Sequence, residues 1–176
     1  LVSFSHYEEF MKIMNEFTGI EMEKLINVFA SETGYQTPKV DVRGVVFRGD
    51  KILLVRETID GNWSVPGGWA DVGYTPKEIA RKEVFEESGL IVEPVKLLAV
   101  MDKSRHNYPL DIFYIYKIFI LCHEIGGSLK TSIETSDSGF FGLDELPPLS
   151  TPRITKEQIK LLFEYKNNPD KEAICD

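Results

Sequence analysis

The segment Gly68–Leu90 constrains the fold most, because its residue types mark both ends of one helix. Thr75 is a good N-cap, Pro76 suits the first helical position, and Glu78 completes a Thr-x-x-Glu capping box. Gly89 stands where a left-handed residue commonly ends a helix. Three apolar side chains between the caps are spaced to pack inward: Ile79, Ala80 and Val84. The sequence therefore predicts a well-specified helix between these caps.

Three carboxylates, Glu83, Glu86 and Glu87, fall within an arc of roughly 100° on that helix. Like charges this close repel, and a hard divalent cation such as Mg²⁺, which takes oxygen ligands, removes the repulsion. The alternative is an ordinary solvated acidic helix. The preceding loop, residues 66–68, reads Pro-Gly-Gly and lets backbone carbonyls approach a ligand closely, which favours a cation site.

The same stretch resembles the Nudix box, the motif of a known hydrolase family. The motif runs Gly, five residues, Glu, seven residues, Arg-Glu, an apolar residue, any residue, Glu-Glu, any residue, Gly, apolar. Seven positions match at the right spacing: Gly68, Glu83, Val84, Glu86, Glu87, Gly89 and Leu90. The flanking segments 63–68 and 140–147 also resemble Nudix sequence, so the resemblance covers residues 38–165 or so.

Two positions depart from the motif. Tyr74 replaces the first Glu, and Lys82 replaces the Arg before the second Glu. In the family these two residues commonly form a salt bridge that braces the loop against the helix. We therefore expect the loop to be braced differently here, with the metal-binding carboxylates retained.

The order of elements predicts an α+β fold. The resemblance implies a Nudix α/β/α sandwich with a mixed sheet over residues 38–176. Residues 6–33 have apolar side chains at helical spacing on both sides of a Thr18-Gly19 break, which predicts a helical hairpin and a small N-terminal domain over residues 1–37. This hairpin either packs on its own body or serves as a dimerisation or substrate-covering element.

Short apolar and β-branched runs predict the strands of the larger domain. Residues 42–47 and 52–56 flank Gly49-Asp50 and form a predicted hairpin. Further strands are predicted for residues 97–101, 112–122 and 139–143, with a turn at 126–127. A last helix is predicted over residues 155–166, opened by a Thr-x-x-Gln capping box.

The resemblance implies particular roles for the box residues. Glu83 and Glu87 are the expected direct metal ligands, and Glu86 shares a second metal or binds it through water. The backbone carbonyl of Gly68 is the expected additional ligand. The implied cofactor is Mg²⁺, with Mn²⁺ as a substitute.

A general base is expected in the loop before the 139–143 strand, which by resemblance faces the metals. Glu134 is favoured over Asp137 because its side chain reaches further. In relatives the base sometimes comes from the box helix, which makes Glu86 the other catalytic candidate. For both loop residues, a plain surface position is the alternative.

Substrate contacts are predicted from basic residues near the box. Arg56 ends a strand before the loop and suits bidentate phosphate binding, with a surface salt bridge to Glu57 or Asp60 as the alternative. Lys103 and Arg105 form a basic loop after the 97–101 strand that is suited to a phosphate or the leaving moiety. A solvated turn is the alternative for that loop.

Charge and cysteine content limit the partners. The net charge of −8 over 176 residues argues against broad binding to DNA or anionic membranes, but leaves a small nucleotide or an RNA end as substrate. The two cysteines, Cys122 and Cys175, do not make a disulfide framework. The composition therefore favours a reducing cytoplasm.

The family implies Mg²⁺-dependent hydrolysis of a nucleoside diphosphate linked to a moiety X. The N-terminal helical unit together with residues 67–74 resembles a bacterial subgroup labelled ADP-ribose pyrophosphatase, some members of which cleave CDP-choline. We expect a homodimer that hydrolyses CDP-choline or a related CDP-alcohol, with ADP-ribose as the alternative. Hydrolysis of oxidised nucleoside triphosphates, trimming of RNA ends and a non-catalytic ligand sensor also stay open.

Overall fold

The structure is a computed structural model. It describes residues 37–109 and 111–176 and, before them, residues 12, 15, 16, 19–21, 23 and 24. The chain divides into two compact units. One comprises Lys39–Pro109 and Ile115–Asp176, and the other comprises Leu1–Pro38 and Leu110–Tyr114. The helical hairpin predicted for residues 6–33 lies outside the described residues apart from the eight positions above, so the domain boundary at residue 37 stays a prediction.

The larger unit contains eight strands and two α-helices among its described residues. In chain order they are β1 (Lys39–Arg48), β2 (Lys51–Glu57), β3 (Trp63–Ser64), β4 (Gly67–Trp69), α1 (Pro76–Ser88), β5 (Leu90–Asp102), β6 (Ile115–Gly127), β7 (Thr135–Phe141), α2 (Lys156–Asn167) and β8 (Ile174–Cys175). Short 3₁₀ turns follow β5 at Lys103–Arg105 and β7 at Leu143–Glu145.

The strands form one mixed sheet with the order β3-β2-β1-β6-β5-β8. In addition, β4 pairs with β1 and β7 pairs with β2. The β1–β6 and β5–β8 pairs are parallel, and the others are antiparallel. The mixed sheet that the resemblance implied is therefore present.

Each face of the sheet carries one helix and one apolar cluster. Alternate residues of β1 divide between the faces, as the pleat of a strand requires. Val42 and Val46 pack with Ile79 and Val84 of α1. Val45 packs in the other cluster, with residues of α2. The sheet thus lies between two helices, as the α+β prediction required.

The hairpin predicted around Gly49-Asp50 is confirmed, since Arg48 pairs with Lys51 across a two-residue loop. Gly49 has a φ of +58°, the sign that the first central residue of a type II′ hairpin turn requires. The capping box before α2 is confirmed as well, because Thr155 accepts from the backbone of Gln158 and Gln158 reaches back to Thr155.

For three strands the boundaries predicted from sequence were wrong. β5 begins at Leu90, because Pro94 lies at a register shift where a missing N–H is tolerated. β6 begins at Ile115 and continues through residues 126–127, which pair with β5 instead of forming a turn. β7 covers residues 135–141, so Asp137 lies in a strand paired with Arg56 and not in a loop.

Candidate active site

Helix α1 begins and ends at the caps predicted for it. The Thr75 side chain accepts from the backbone N–H of Glu78, and Glu78 Oε2 accepts from the backbone N–H of Thr75 at 2.8 Å. Gly89 has a φ of +77°, and its N–H donates to the Phe85 carbonyl at 2.9 Å. These caps fix the phase of the helix, and with it the direction of the carboxylates in its last two turns.

The glycines of β4 allow that helix to approach the sheet backbone. Gly67 has a φ of +149°, and a Cβ there would lie 2.0 Å from the Val42 carbonyl oxygen. A Cβ on Gly68 would lie 3.1 Å from Glu83 Oε2. The N–H of Gly67 donates to Glu87 Oε2 at 2.9 Å. Two box carboxylates are therefore held directly against the backbone of β4.

Burial distinguishes the three box carboxylates. Glu87 is 5% exposed, and burial raises its pKa to about 8 although Arg43 and the Gly67 N–H oppose the shift. Burial also raises the pKa of Glu83; Lys82 opposes that shift, and the charges of Glu86 and Glu134 add to it. Glu86 is exposed. Acidic side chains are thus concentrated where water is partly excluded, which favours the protonated carboxyl until a cation or a basic group offsets the burial.

Lys82 supplies a positive charge at this cluster. Its Nζ lies 3.2 Å from Asp71 Oδ2, 3.3 Å from Glu83 Oε1 and 3.4 Å from Glu86 Oε2. The hydrogen bond to Asp71 contributes most to raising the pKa of Lys82. The link between the loop and α1 therefore runs from Lys82 to Asp71, whereas the side chain of Tyr74, at the motif's usual position, is half exposed.

The donor set fits a hard divalent cation by its chemistry. Carboxylate and carbonyl oxygens are the ligands that Mg²⁺ and Mn²⁺ prefer, and a Cβ on Gly68 would make a tight contact with the Glu83 carboxylate. In residues 37–109 and 111–176, however, no three acidic, histidine or cysteine side chains converge on one point. The predicted ligands Gly68, Glu83, Glu86 and Glu87 therefore remain a prediction at the level of individual bonds.

The two candidate bases outside the box helix differ in position. Glu134 is exposed, and its backbone carbonyl accepts from the Thr58 N–H at 2.9 Å. Its carboxylate is close enough to Glu83 to raise the pKa of that group. Asp137 accepts from the N–H of Ser138 at 2.8 Å, on a strand residue paired with Arg56. Electrostatic contact with the box thus favours Glu134.

The three predicted substrate contacts occupy different surroundings. Arg56 donates through Nε to the Gly61 carbonyl at 2.8 Å, a backbone contact in place of the salt bridges considered from sequence. Lys103 is buried, with Nζ 5.2 Å from the centre of the Tyr108 ring. Arg105 is exposed and lies 3.7 Å from Asp102. Lys103 and Arg105 therefore do not form one exposed basic loop.

Sequence reasoning missed a buried group of ions beside β4. Asp41 and Arg43 of β1 and Lys117 of β6 are all less than 7% exposed. They lie on the same face of the sheet as Val45, and Asp41 pairs with Lys117 in the strand register. The available signal was the occurrence of charged residues at alternate positions in otherwise apolar strands, which marks a buried polar face.

Comparisons with known proteins agree with this geometry. Residues 37–163 match the model of the NUDIX domain family. YjhB of Bacillus subtilis (strain 168), provisionally named an ADP-ribose pyrophosphatase, is 45% identical over 174 residues, or 97% of this chain and 84% of that protein. An ADP-ribose pyrophosphatase of Methanocaldococcus jannaschii is 32% identical over 76% of this chain and 78% of its own length.

Two solved structures share both fold and sequence with the chain. An ADP-ribose pyrophosphatase from Streptococcus suis has a TM-score of 0.74 and 46% identity, and the match covers 80% of this chain and all of that one. A UDP-X diphosphatase has a TM-score of 0.75 and 34% identity over 98% of this chain and 85% of that one. The capped carboxylate helix, the glycine strand beside it and these matches together show that the chain belongs to the NUDIX domain family, as a Nudix hydrolase acting on pyrophosphate bonds.

Proposed function

We propose that this protein hydrolyses the pyrophosphate linkage of a nucleoside diphosphate joined to a moiety X, with Mg²⁺ as the physiological cation and ADP-ribose as the leading substrate. One observation carries the proposal: Glu83 and Glu87 are buried against the two glycines of β4, on the box helix. Hydrolysis of ADP-ribose would release AMP and ribose 5-phosphate.

The choice of ADP-ribose rests on the relatives. Two proteins that match over more than three quarters of this chain carry that name, and so does one of the similar structures. The CDP-choline expected from sequence has no such support, so it becomes a comparison substrate. The UDP-X diphosphatase structure favours UDP-linked compounds as the second candidate.

Hydrolysis at phosphorus needs the chain to hold charge and to move one proton. A bound divalent cation would neutralise phosphate oxygens and lower the pKa of a bound water. Glu83 and Glu87, with the Gly68 carbonyl, would hold it in this proposal. Glu86 is the exposed carboxylate of the set and is suited to contacts made through water.

Exposed side chains near the box are the candidates for the general base and for the phosphate contacts. Glu134 is exposed beside the box and can take the proton of the attacking water. Arg56 and Arg105 are exposed, so their guanidinium groups are available to substrate phosphates. Lys103, being buried, would contribute positive potential and not a direct contact.

A substrate panel with product analysis tests the proposal. Purified protein with Mg²⁺ or Mn²⁺ is given ADP-ribose, CDP-choline, UDP-glucose and dGTP, and the products are separated by ion-exchange chromatography. We expect AMP from ADP-ribose at the highest kcat/KM. Release of pyrophosphate from dGTP at a higher kcat/KM, or no turnover of any diphosphate compound, would overturn the proposal.

Variants assign the residues. Glu87→Gln should lower kcat about 100-fold or more without lowering the melting temperature, because even outer partners of a metal site are worth about 10- to 100-fold. Glu145→Gln, on an exposed residue of the second 3₁₀ turn, is the matched control and should leave kcat unchanged. Normal activity of Glu87→Gln would remove that residue from the site.

Three further expectations accompany this proposal. Three predictions from sequence remain: that the protein is a homodimer, that its N-terminal segment serves in dimerisation or covers the substrate, and that it is cytoplasmic. None of the helices among the described residues is long and apolar enough to span a membrane. RNA ends stay a secondary substrate class, to be tested with a 5′-triphosphate oligonucleotide in the same panel.

A further inference from the structure

We propose that Arg43, held by Asp41 and Lys117, is a positioning residue that fixes residues 65–68 against α1 and so sets the spacing of the oxygen donors at the cation site. The inference rests on the proposed function, because it concerns the support of that same site. It assigns a role to three buried ions that lie outside the Nudix box.

Hydrogen bonds join the three ions to one another. Arg43 donates through Nε to Asp41 Oδ1 at 2.8 Å and through Nη2 to Asp41 Oδ2 at 3.1 Å. Lys117 Nζ also donates to Asp41 Oδ2. This bidentate fork and the second cation leave the guanidinium with one fixed orientation.

The third nitrogen of the Arg43 guanidinium reaches residues 65–68. Arg43 Nη1 donates to the Val65 carbonyl at 3.0 Å. The Arg43 backbone pairs with Gly67, and a Cβ on Gly67 would lie 2.9 Å from Arg43 Cδ. Arg43 therefore contacts the segment on both sides of Pro66, through a hydrogen bond on one side and by direct packing on the other.

Gly67 and Gly68 connect this segment to helix α1. Gly67 donates its N–H to Glu87 Oε2 at 2.9 Å, and Gly68 lies against the Glu83 carboxylate. A shift of β4 away from β1 would break the first contact and open the second. A continuous path of contacts thus runs from Lys117 through Asp41 and Arg43 to Glu87.

Energetics argue that this group does more than fill space. Burying ions is unfavourable, and well-packed apolar side chains of similar volume are often as stable or more so. An apolar residue at position 43 would satisfy the core but would remove the shorter of the two hydrogen bonds to the Val65 carbonyl, leaving the 3.5 Å contact from Ser64 Oγ. Directional bonds to a loop are what this ion group provides and an apolar core does not.

Direct contact with substrate is the competing role for these ions. Among the described residues, every buried side-chain nitrogen or oxygen has a hydrogen-bond partner within the protein. Asp41, Arg43 and Lys117 thus spend their bonds on each other and on Val65. The geometry favours action through the backbone of β4.

The test measures cation binding by the folded protein, separately from turnover. Mn²⁺ titrations followed by water-proton relaxation give a Kd for wild type, Arg43→Met and Arg43→Lys, with circular dichroism as the check on folding. Arg48→Met is the matched control, because Arg48 belongs to the same strand but is exposed and paired with Glu124.

We expect both Arg43 variants to raise the Mn²⁺ Kd about 10- to 100-fold, the usual size for outer-shell partners, and Arg48→Met to leave it unchanged. Arg43→Lys keeps the charge but lacks the fork, so a wild-type Kd in that variant would overturn the positioning role. Loss of melting temperature with an unchanged Kd would overturn it too, since that result is purely structural.

Should both Arg43 variants fail to fold, Lys117→Gln keeps the inference testable, because it removes one cation but leaves the fork. We expect a rise in Kd of at least about threefold, and an unchanged Kd would contradict the inference. Wild-type protein that binds Mn²⁺ but hydrolyses no diphosphate compound would instead contradict the proposed function alone, which keeps the two failures distinguishable.

Discussion

Lys82 shows how one residue can keep a structural role after its usual partner has changed. The motif normally pairs this position with a Glu six residues after the first Gly, where Tyr74 stands here. The structure pairs Lys82 with Asp71, three residues earlier in the same loop, at 3.2 Å. The prediction that the loop is braced differently was correct. Asp71 could not be predicted as the partner, because the sequence does not show the path of the loop.

Asp71→Asn tests that brace. Without Asp71, the Lys82 ammonium is left with Glu83 and Glu86, where it competes with a divalent cation. Half-exposed ion pairs are worth about 0.2–1 kcal/mol, so the Mg²⁺ concentration for half-maximal activity should rise by up to about fivefold. Glu145→Gln breaks a comparable exposed pair with Lys51 away from the box and serves as control. An equal Mg²⁺ requirement in both variants would exclude the competition.

Glu87 should make the stability of the cation-free protein depend on pH. Its pKa rises from an ordinary value of 4.5 to about 8 in the folded state, chiefly through burial. Between those pH values the folded chain binds more protons than the unfolded chain, so the free energy of unfolding falls as pH rises.

As the pH rises from 5 to 9 in EDTA, wild type should therefore lose about 2 kcal/mol or more of its free energy of unfolding relative to Glu87→Gln, since one pKa unit is worth about 1.4 kcal/mol. Urea unfolding at several pH values measures this difference. Glu86→Gln is the control, because it removes an exposed carboxylate from the same helix. If the free energies of unfolding of wild type and Glu87→Gln changed equally with pH, ionisation of the buried Glu87 carboxyl would carry no penalty, and the prediction would be wrong.

Strand β4 depends on glycine where it crosses β1. Gly67→Ala would force a Cβ to within 2.0 Å of the Val42 carbonyl oxygen, and backbone atoms cannot move aside as a side chain can. We expect a loss of about 3 kcal/mol or more in urea unfolding, through separation of the two strands. Gly49→Ala, also at positive φ but with no atom within 4 Å, should cost about 1–2 kcal/mol. Equal losses would mean that β4 is not tightly held.

The elements that could be predicted are those specified by local residue types. Both helices are specified by capping boxes, and α1 also by Gly89, so their ends were predicted almost to the residue. The strand ends depended on partners distant in sequence. Pro94 is tolerated in β5 only because a register shift meets it there, and residues 126–127 extend β6 only because β5 offers a partner. Local patterns contain no information on either condition.

The same distinction separates the box carboxylates from the buried ions that support them. The carboxylates were predicted because they occupy one segment with fixed spacing. The ions beneath them come from β1 and β6, more than 70 residues apart in sequence, and only the parallel pairing of those strands brings them together. The long-range half of the site therefore appeared only with the fold.

A cation at the box should stabilise the whole fold by linkage. A ligand that binds only the folded state adds about 2.7 kcal/mol at 100 times its Kd, and in a chain of this size each kcal/mol raises the melting temperature by about 2–4 °C. Mn²⁺ should thus raise the melting temperature by roughly 5–11 °C, and EDTA should reverse the change. The double variant Glu83→Gln/Glu87→Gln should lose most of the shift.

A net charge of −8 also attracts cations without a site, so the double variant Asp144→Asn/Glu145→Gln, which removes two charges from an exposed turn, is the necessary comparison. A shift that disappears equally in both variants would place Mn²⁺ on the general surface of the protein, whereas loss in the box variant alone would place it at α1.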